Sequence, residues 1–432
     1  MIKANLFLGK ILVFFLFFNY LYGIHYQHSP LSSPALIGAL GLSLSIIFPV
    51  FRSSIVNNIV RKFILVMLPT MFVALFSIIL NQSSDVFFLK WGIVNILYLM
   101  GAMTLVYLIE NVWGRFDTRL LVEMMVCSAI LQLSIALLMW TSPSLHEVLY
   151  SMTYVDEIGQ EAIDRTEGKR LMGFGTNFFG SGVLHGFILI SMICLYGKMN
   201  FIKTVLWSLS FIFITAIGMM MARTTLLGAL IALSLLGIYI IKGKIKKKTV
   251  WGILMAIIII IWGISLLSSS VFDDFQTIVN FGFQMFISKQ ETGEVYVDSW
   301  DSMMSMYRFP SDFDTWIIGD AHWMGLEGGY YMSTDIGFIR MIFYFGIIGL
   351  FSFIIYNVKL LKAIYVSNHS LGIFFVFALM IYVIIVNCKG FVDIFQWAIF
   401  FYFCEDALDN NNDIGFVSEA DMKQDVVLPP HE

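Results

Sequence analysis

The chain reads as an all-α polytopic membrane protein with about 12 transmembrane helices, on three observations. Hydrophobic residues make up 59% of its 432 positions, charged residues only 13%, and the mean hydropathy is +0.82. A soluble domain carries roughly 25% charged residues, so this chain lacks the polar groups to cover a surface facing water. Apolar stretches of helical span length recur along the sequence, and Lys and Arg crowd alternate links between them.

The spans expected from these stretches are 5–24, 34–51, 63–81, 86–109, 120–141, 179–197, 202–221, 224–241, 250–268, 336–357, 371–387 and 391–404. The first follows Lys3 and Lys10 without a small-residue cleavage site and is taken as a retained span. Orientation follows the basic links. One set holds Arg52, Arg61 and Lys62; Arg115 and Arg119; Lys198 and Lys203; the run Lys-Gly-Lys-Ile-Lys-Lys-Lys at 242–248; and Lys359 and Lys362. That set and both termini are expected in the cytoplasm. The two long segments 142–178 and 269–335 then face outward, into the periplasm of a Gram-negative cell. Residues 1–404 form the helical bundle, and the polar tail 405–432 is expected to be a flexible cytoplasmic end. The localisation is therefore a multi-pass inner membrane protein. Cys127, Cys194, Cys388 and Cys404 lie in or at the ends of apolar stretches without paired spacing and read as small apolar residues.

Segment 269–335 has a pattern of its own. Phe272, Phe275, Val279 and Phe286 recur at helical spacing, so 272–287 reads as an amphipathic helix on the membrane surface. Asp298 or Ser299 caps a second, short helix striped by Trp300, Met303, Met304 and Tyr307. Such helices either roof a cavity or pack on the bundle as scaffold.

Soluble-enzyme motifs are missing: no phosphate loop, zinc spacing or nucleophile elbow. Charge at membrane depth stands in their place. Arg223 lies at the outer junction of two apolar runs, and Arg340 lies inside the start of another. Burial of a guanidinium in a bilayer costs a few kcal/mol at least, so such a residue faces a cavity or a partner. Arg170 precedes a Gly-rich entry into a span on the same side, and Arg308 lies in the second outer segment. Arginines converging there can hold an anion, because guanidinium presents a planar fork of donors to phosphate. The alternative for each is snorkelling to headgroups or pairing with a local carboxylate, and Lys90 is read in that way.

Between Arg308 and Arg340 runs the Gly- and aromatic-rich stretch 319–335. His322 is its first candidate for a general base and Glu327 the second, with Asp320 and Asp335 as alternatives. Trp323, Tyr330 and Tyr331 are candidates to stack on sugar faces. A surface histidine, and a helix cap or salt bridge from Asp335 to Arg340, are the plainer readings.

These residues bring a family into view. Arg223-Thr224-Thr225-Leu226, opening a span, resembles the Ser-Arg-Thr signature of the O-antigen ligase and polymerase superfamily. Thr334-Asp335-Ile336-Gly337-Phe338-Ile339-Arg340 followed by Phe345-Gly346-Ile347-Ile348-Gly349 looks like its closing segment. Within the superfamily the chain is most similar to Wzy-type polysaccharide polymerases, which have two sizeable outer loops bearing an arginine, ten residues and a glycine. Arg308 to Gly319 fits that spacing; Arg170 reaches Gly180 or Gly182 at one short or one long. The resemblance covers the chain in outline and about 215–350 in motif.

The resemblance implies a GT-C-like helical fold and a glycosyltransferase. A growing glycan is transferred from undecaprenyl diphosphate onto a lipid-linked oligosaccharide repeat unit at the periplasmic face. Arg170, Arg223, Arg308 and Arg340 would then hold the diphosphate in one cavity, and His322 or Glu327 would accept the proton of the acceptor hydroxyl. Beyond the lipid bilayer, the implied partners are a chain-length regulator and a flippase. No nucleic acid, metal or cofactor is expected. The rival within the family is the O-antigen ligase; the rival of another class is a lipid-linked oligosaccharide flippase. A flippase keeps its loops short and its charges near the bilayer midplane.

Overall fold

The computed structural model describes residues 2–47, 54–155, 157–164, 168–175, 178–265, 269–294, 296, 299–325 and 328–404. The tail 405–432, Glu327 and Asp298 lie outside the described residues. Among the described residues the chain is helical, with two isolated β-bridges, Tyr26 to Thr153 and Met324 to Tyr330.

In chain order the helices are α1 (Ile2–Tyr22), α2 (Ser33–Ile47), α3 (Ser54–Leu80), α4 (Phe87–Trp113), α5 (Thr118–Thr141), α6 (Pro143–Ser151), α7 (Glu157–Asp164) and α8 (Phe178–Met192). They continue as α9 (Phe201–Met221), α10 (Thr224–Ile241), α11 (Lys247–Ser265), α12 (Ser269–Thr292), α13 (Ser299–Ser305), α14 (Phe313–Ile317), α15 (Gly337–Ser367), α16 (Ile373–Asn387) and α17 (Phe395–Phe403). Seven helices among the described residues are long and apolar enough to cross a membrane, within α3, α4, α5, α8 with its 3₁₀ extension, α9, α10 and α15. Apolar stretches of α1, α2 and α16 are shorter. The chain is thus a polytopic, all-helical membrane protein.

Small residues set how closely the helices approach, as they do where lipid gives side chains no preference for each other. A side chain on Gly38 of α2 would meet the Leu97 carbonyl of α4 at 1.9 Å. One on Gly228 of α10 would meet the Gly186 Cα of α8 at 2.1 Å. The polar interior is paired across helices. Asp393, before α17, accepts from Trp91 Nε1 and Asn95 Nδ2 of α4, each at 2.8 Å, and from the Tyr356 hydroxyl of α15. This ties the 388–394 connection to the centre of the bundle.

The longest helix is broken. Within α15, Phe345 (φ −140°, ψ 19°) and Gly346 (φ 69°, ψ −172°) leave helical geometry. Carbonyls freed by the break are taken up by the segment ahead: Asp320 N donates to Phe343 O at 2.6 Å and Ala321 N to Tyr344 O at 2.9 Å. The Ser77 hydroxyl of α3 adds a bond to Tyr344 O at 2.8 Å. Irregular backbone at membrane depth is tolerated where protein buries and satisfies it. Gly319 and Gly346 are what allow the contact. A Cβ on Gly319 would meet the Phe345 nitrogen at 2.4 Å, and one on Gly346 the Ile317 carbonyl oxygen at 2.0 Å. The glycine at the end of the Arg308 spacing therefore has a packing role.

Segment 269–335 departs in detail from the pattern expected of it. α12 is one helix, but the face it buries carries Ile278 and Gly282, with Val279 and Phe283 packed beside them, while Phe286 is exposed. Gly282 lies on this face against the end of α9, where an added Cβ would stand 3.2 Å from the Met220 nitrogen. The Phe272 and Phe275 side chains lie outside the described residues. In α13 the expected stripe divides: Trp300 and Met304 are exposed, whereas Met303, with Met306 beyond it, packs on Ile336, Ile339 and Phe343. The short α14, which no periodicity announced, turns the chain into the break of α15.

Candidate anion site and the neighbouring cavity

Arg223 emerges where the chain changes direction between α9 and α10, on an extended Ala222 (φ −154°, ψ 121°). α12 clamps it: Nε donates to Phe281 O at 2.8 Å and a terminal nitrogen to Gln284 Oε1 at 2.6 Å. The guanidinium carbon lies 4.2 Å from the Phe281 ring centre. Arg170 is brought to the same ring. Leu171 N donates to Met220 O at 3.2 Å, docking this stretch on the end of α9. The Arg170 guanidinium then sits 4.4 Å from Phe281 and 5.3 Å from Phe178. Its Nε is buried and meets no acceptor among the described residues. Burial, with Arg223 beside it, lowers its pKa to about 10.

A third cation joins them. Lys389 follows α16 in a turn held by Asn387, whose side chain donates to Val392 O at 3.0 Å and accepts from Val392 N at 3.1 Å. Lys389 Nζ donates to the Thr224 hydroxyl, 3.3 Å away at the start of α10, and lies 5.7 Å from the Phe179 ring. Burial lowers its pKa to about 8, with contributions from Arg170 and Arg223 and an opposing one from Asp335.

Arg340 is linked to this group through Asp335. Its guanidinium is held between Trp323 and Tyr330, at 3.8 and 4.2 Å from their ring centres, and donates to Trp323 O at 3.1 Å. Its contact with Asp335 Oδ1 is 3.5 Å, long for an ion pair. Asp335 is half-buried, and burial pushes its carboxyl up to about 6 against the pull of Arg340, a Tyr330 hydrogen bond and Lys389. Trp323 is itself fixed, stacked on Phe87 at 4.2 Å with its backbone N–H donating to Asp85 Oδ2 at 2.7 Å. Two of the three aromatic residues expected to stack on sugars, Trp323 and Tyr330, thus enclose Arg340 instead.

The structure therefore brings Arg170 and Arg223 together, adds Lys389, and connects Arg340 through Asp335. Arg308 does not join them. It is exposed, donates from Nε to Ser305 O at 3.2 Å, and stands at the rim of a cavity of about 560 Å³. His322 lies on that side too, its ring 5.3 Å from Tyr331, a cavity residue.

Sequence reading passed over Lys389. It lies in the short link Asn-Cys-Lys-Gly between two apolar runs and belongs to no motif. Its signal is a lysine on the side of the span pattern that the charge rule leaves poor in lysine.

No family model, curated protein or solved structure matches the chain.

Proposed function

We propose that the chain is a polysaccharide polymerase, transferring a growing glycan from undecaprenyl diphosphate onto a lipid-linked repeat unit. The observation that carries this reading is the gathering of Arg170, Arg223 and Lys389 from three separate parts of the sequence. Burial, and after it the repulsion between neighbouring cations, lowers the proton affinity of Arg170 and Lys389. A diphosphate supplies the charge that relieves this and accepts the fork of donors that guanidinium offers. The family resemblance supplies the lipid carrier and the sugar chemistry.

In this reading the twelve apolar stretches cross the inner membrane in a GT-C-like bundle, both termini are cytoplasmic and the cation site faces the periplasm. The acceptor hydroxyl oxygen attacks the anomeric carbon of the donor glycan. The bond from that carbon to the diphosphate breaks, and the lipid diphosphate leaves with the electron pair. The cations offset the charge that develops on it. A base takes the hydroxyl proton, and the products are the lengthened glycan on its lipid and free undecaprenyl diphosphate. Deleting the gene and running surface polysaccharide on a gel tests the reading. A polymerase loss removes the ladder and leaves one repeat on the core; loss of all repeats points to a ligase or flippase instead.

Asp335 is the base this arrangement favours. It borders Lys389 and Arg340, and its raised pKa of about 6 suits proton transfer near neutrality. Asp335→Asn is expected to lower polymer formation ~10²-fold or more, measured on protein present in the membrane at the normal level. Residual activity should lose its rise through pH 6. His322→Ala should leave the ladder in place; a lost ladder there with an active Asp335→Asn assigns the base to His322.

The site also has a pH signature. The free ammonium of Lys389 titrates near 8, and a bound anion raises that value, so binding takes up a proton above pH 8. Affinity for inorganic diphosphate, measured calorimetrically on the full chain in detergent, should fall between pH 7 and 9 more steeply than in Lys389→Met. Equal slopes would remove Lys389 from the site.

A further inference from the structure

The cavity at Arg308 is separate from the cation cluster and has a different chemistry. Its floor is a preset polar surface. The Thr315 hydroxyl donates to Asp320 Oδ1 at 2.7 Å and the Tyr331 hydroxyl to Oδ2 at 3.1 Å, fixing the carboxylate in place, with the buried Phe343 ring beneath. Its rim offers an apolar shelf. Phe309 lies parallel to Trp316 at 5.9 Å, and 57% of Phe309 is exposed. Around the shelf stand Arg308, Ser311 and Asp312.

Charge decides against an anion. Asp312 and Asp320 set two carboxylates against the single guanidinium of Arg308, and a phosphate would be repelled. A lipid chain is equally unsuited to a floor of hydroxyls and a carboxylate. What fits is a group with an apolar face and a hydroxylated edge, the character of a pyranose ring. Its C–H face matches the Phe309 shelf, and its neighbouring hydroxyls match fixed carboxylate oxygens and the guanidinium. The volume of about 560 Å³ lies within the range of small-molecule sites, ~300–1,000 Å³.

The backbone adds an independent observation. Met332 and Ser333, both cavity residues, have φ of 52° and 54°, and Ala321, next to Asp320, has 55°. Non-glycine residues in this region carry strain that persists where a ligand clamp or active site needs the shape. The same short segment passes from Tyr331 and Ser333 in the cavity to Asp335 beside Lys389 and Arg340.

We infer that the cavity formed by Arg308, Phe309, Asp312, Asp320 and Tyr331 is a saccharide subsite that receives the acceptor sugar. The word acceptor rests on the polymerase reading; the affinity for a saccharide does not. The segment 331–335 then connects the sugar site to the base and, through it, to the cations. Arg308 is assigned here to the acceptor glycan, apart from the diphosphate.

The test uses the full chain in lipid nanodiscs. The probe is a repeat-unit oligosaccharide released from the surface polysaccharide of the strain carrying the gene and freed of lipid and phosphate. Saturation-transfer NMR should show binding to the wild-type chain. Phe309→Ala and Asp312→Asn, both on the exposed rim, should each raise Kd at least about tenfold, a loss of ~1.4 kcal/mol. Arg223→Lys should bind the oligosaccharide as the wild type does. No transfer to the wild-type chain, or equal binding by both rim variants, would overturn the inference. The two readings fail separately. Saccharide binding with an unchanged ladder on gene deletion keeps the subsite and removes the polymerase. A lost ladder with no saccharide binding does the reverse.

Discussion

Arg223→Lys is expected to abolish the long-chain polysaccharide ladder while the protein remains in the membrane at its normal level. The substitution preserves charge and removes geometry. Arg223 bonds α12 at two points, the Phe281 carbonyl and the Gln284 side chain, with its guanidinium over the Phe281 ring. An ammonium is a compact point charge on a flexible stem and cannot satisfy both partners while stacking. The charge then leaves the position that Arg170 and Lys389 share, and Phe281 loses one of the two guanidiniums it orients. Losing one preorganised donor to a developing anion costs ~10²–10³-fold in rate. The measurement is polymer formation from purified lipid-linked repeat units. A rate within a few-fold of the wild type would show that no transition-state charge rests on this residue.

The second large effect is structural. Gly346→Ala is expected to leave little folded protein, seen as a low yield of monodisperse protein in detergent and a lowered thermal midpoint. At φ 69° and ψ −172° the backbone occupies a region that is essentially glycine's alone, costing ~1–3 kcal/mol for other residues. The new methyl would also sit 2.0 Å from the Ile317 carbonyl oxygen, and that atom is backbone with nowhere to move. Relief requires parting the 313–321 segment from α15, which breaks the bonds from Asp320 and Ala321 to the freed carbonyls. Gly237 is the matched control: it is helical, has open space at its Cβ, and should accept alanine without loss.

Much of this was legible in the residues. Hydropathy located the seven helices long and apolar enough to cross a membrane among the described residues, because lipid demands long apolar runs whatever their packing. Arg223 and Arg340 announced themselves by the cost of placing guanidinium there, and the structure puts both against aromatic rings. Less legible was anything set by contact between distant parts of the chain. The buried face of α12 carries Gly282 against the Met220 backbone, which no periodicity within α12 encodes. Lys389 gains its place from the Thr224 hydroxyl, 165 positions earlier. Arg308 and Arg340 are close in sequence to the same loop, yet one meets a cavity and the other a cage of Trp323 and Tyr330. Spacing alone does not distinguish the two.

The break in α15 also bears on how the chain reaches its final form. Two carbonyls at its centre are satisfied by amides of residues that precede the helix, Asp320 and Ala321. An unmet carbonyl in hydrocarbon costs several kcal/mol. Parted from the loop, α15 would avoid that cost as an unbroken helix, with Phe343 and Tyr344 bonded within it. The bend becomes favourable where the segment ahead docks on it. The bent form thus rests on an exchange of intrahelical bonds for bonds to the loop. The cavity floor, built from Asp320, Tyr331 and Phe343, does not exist before that exchange.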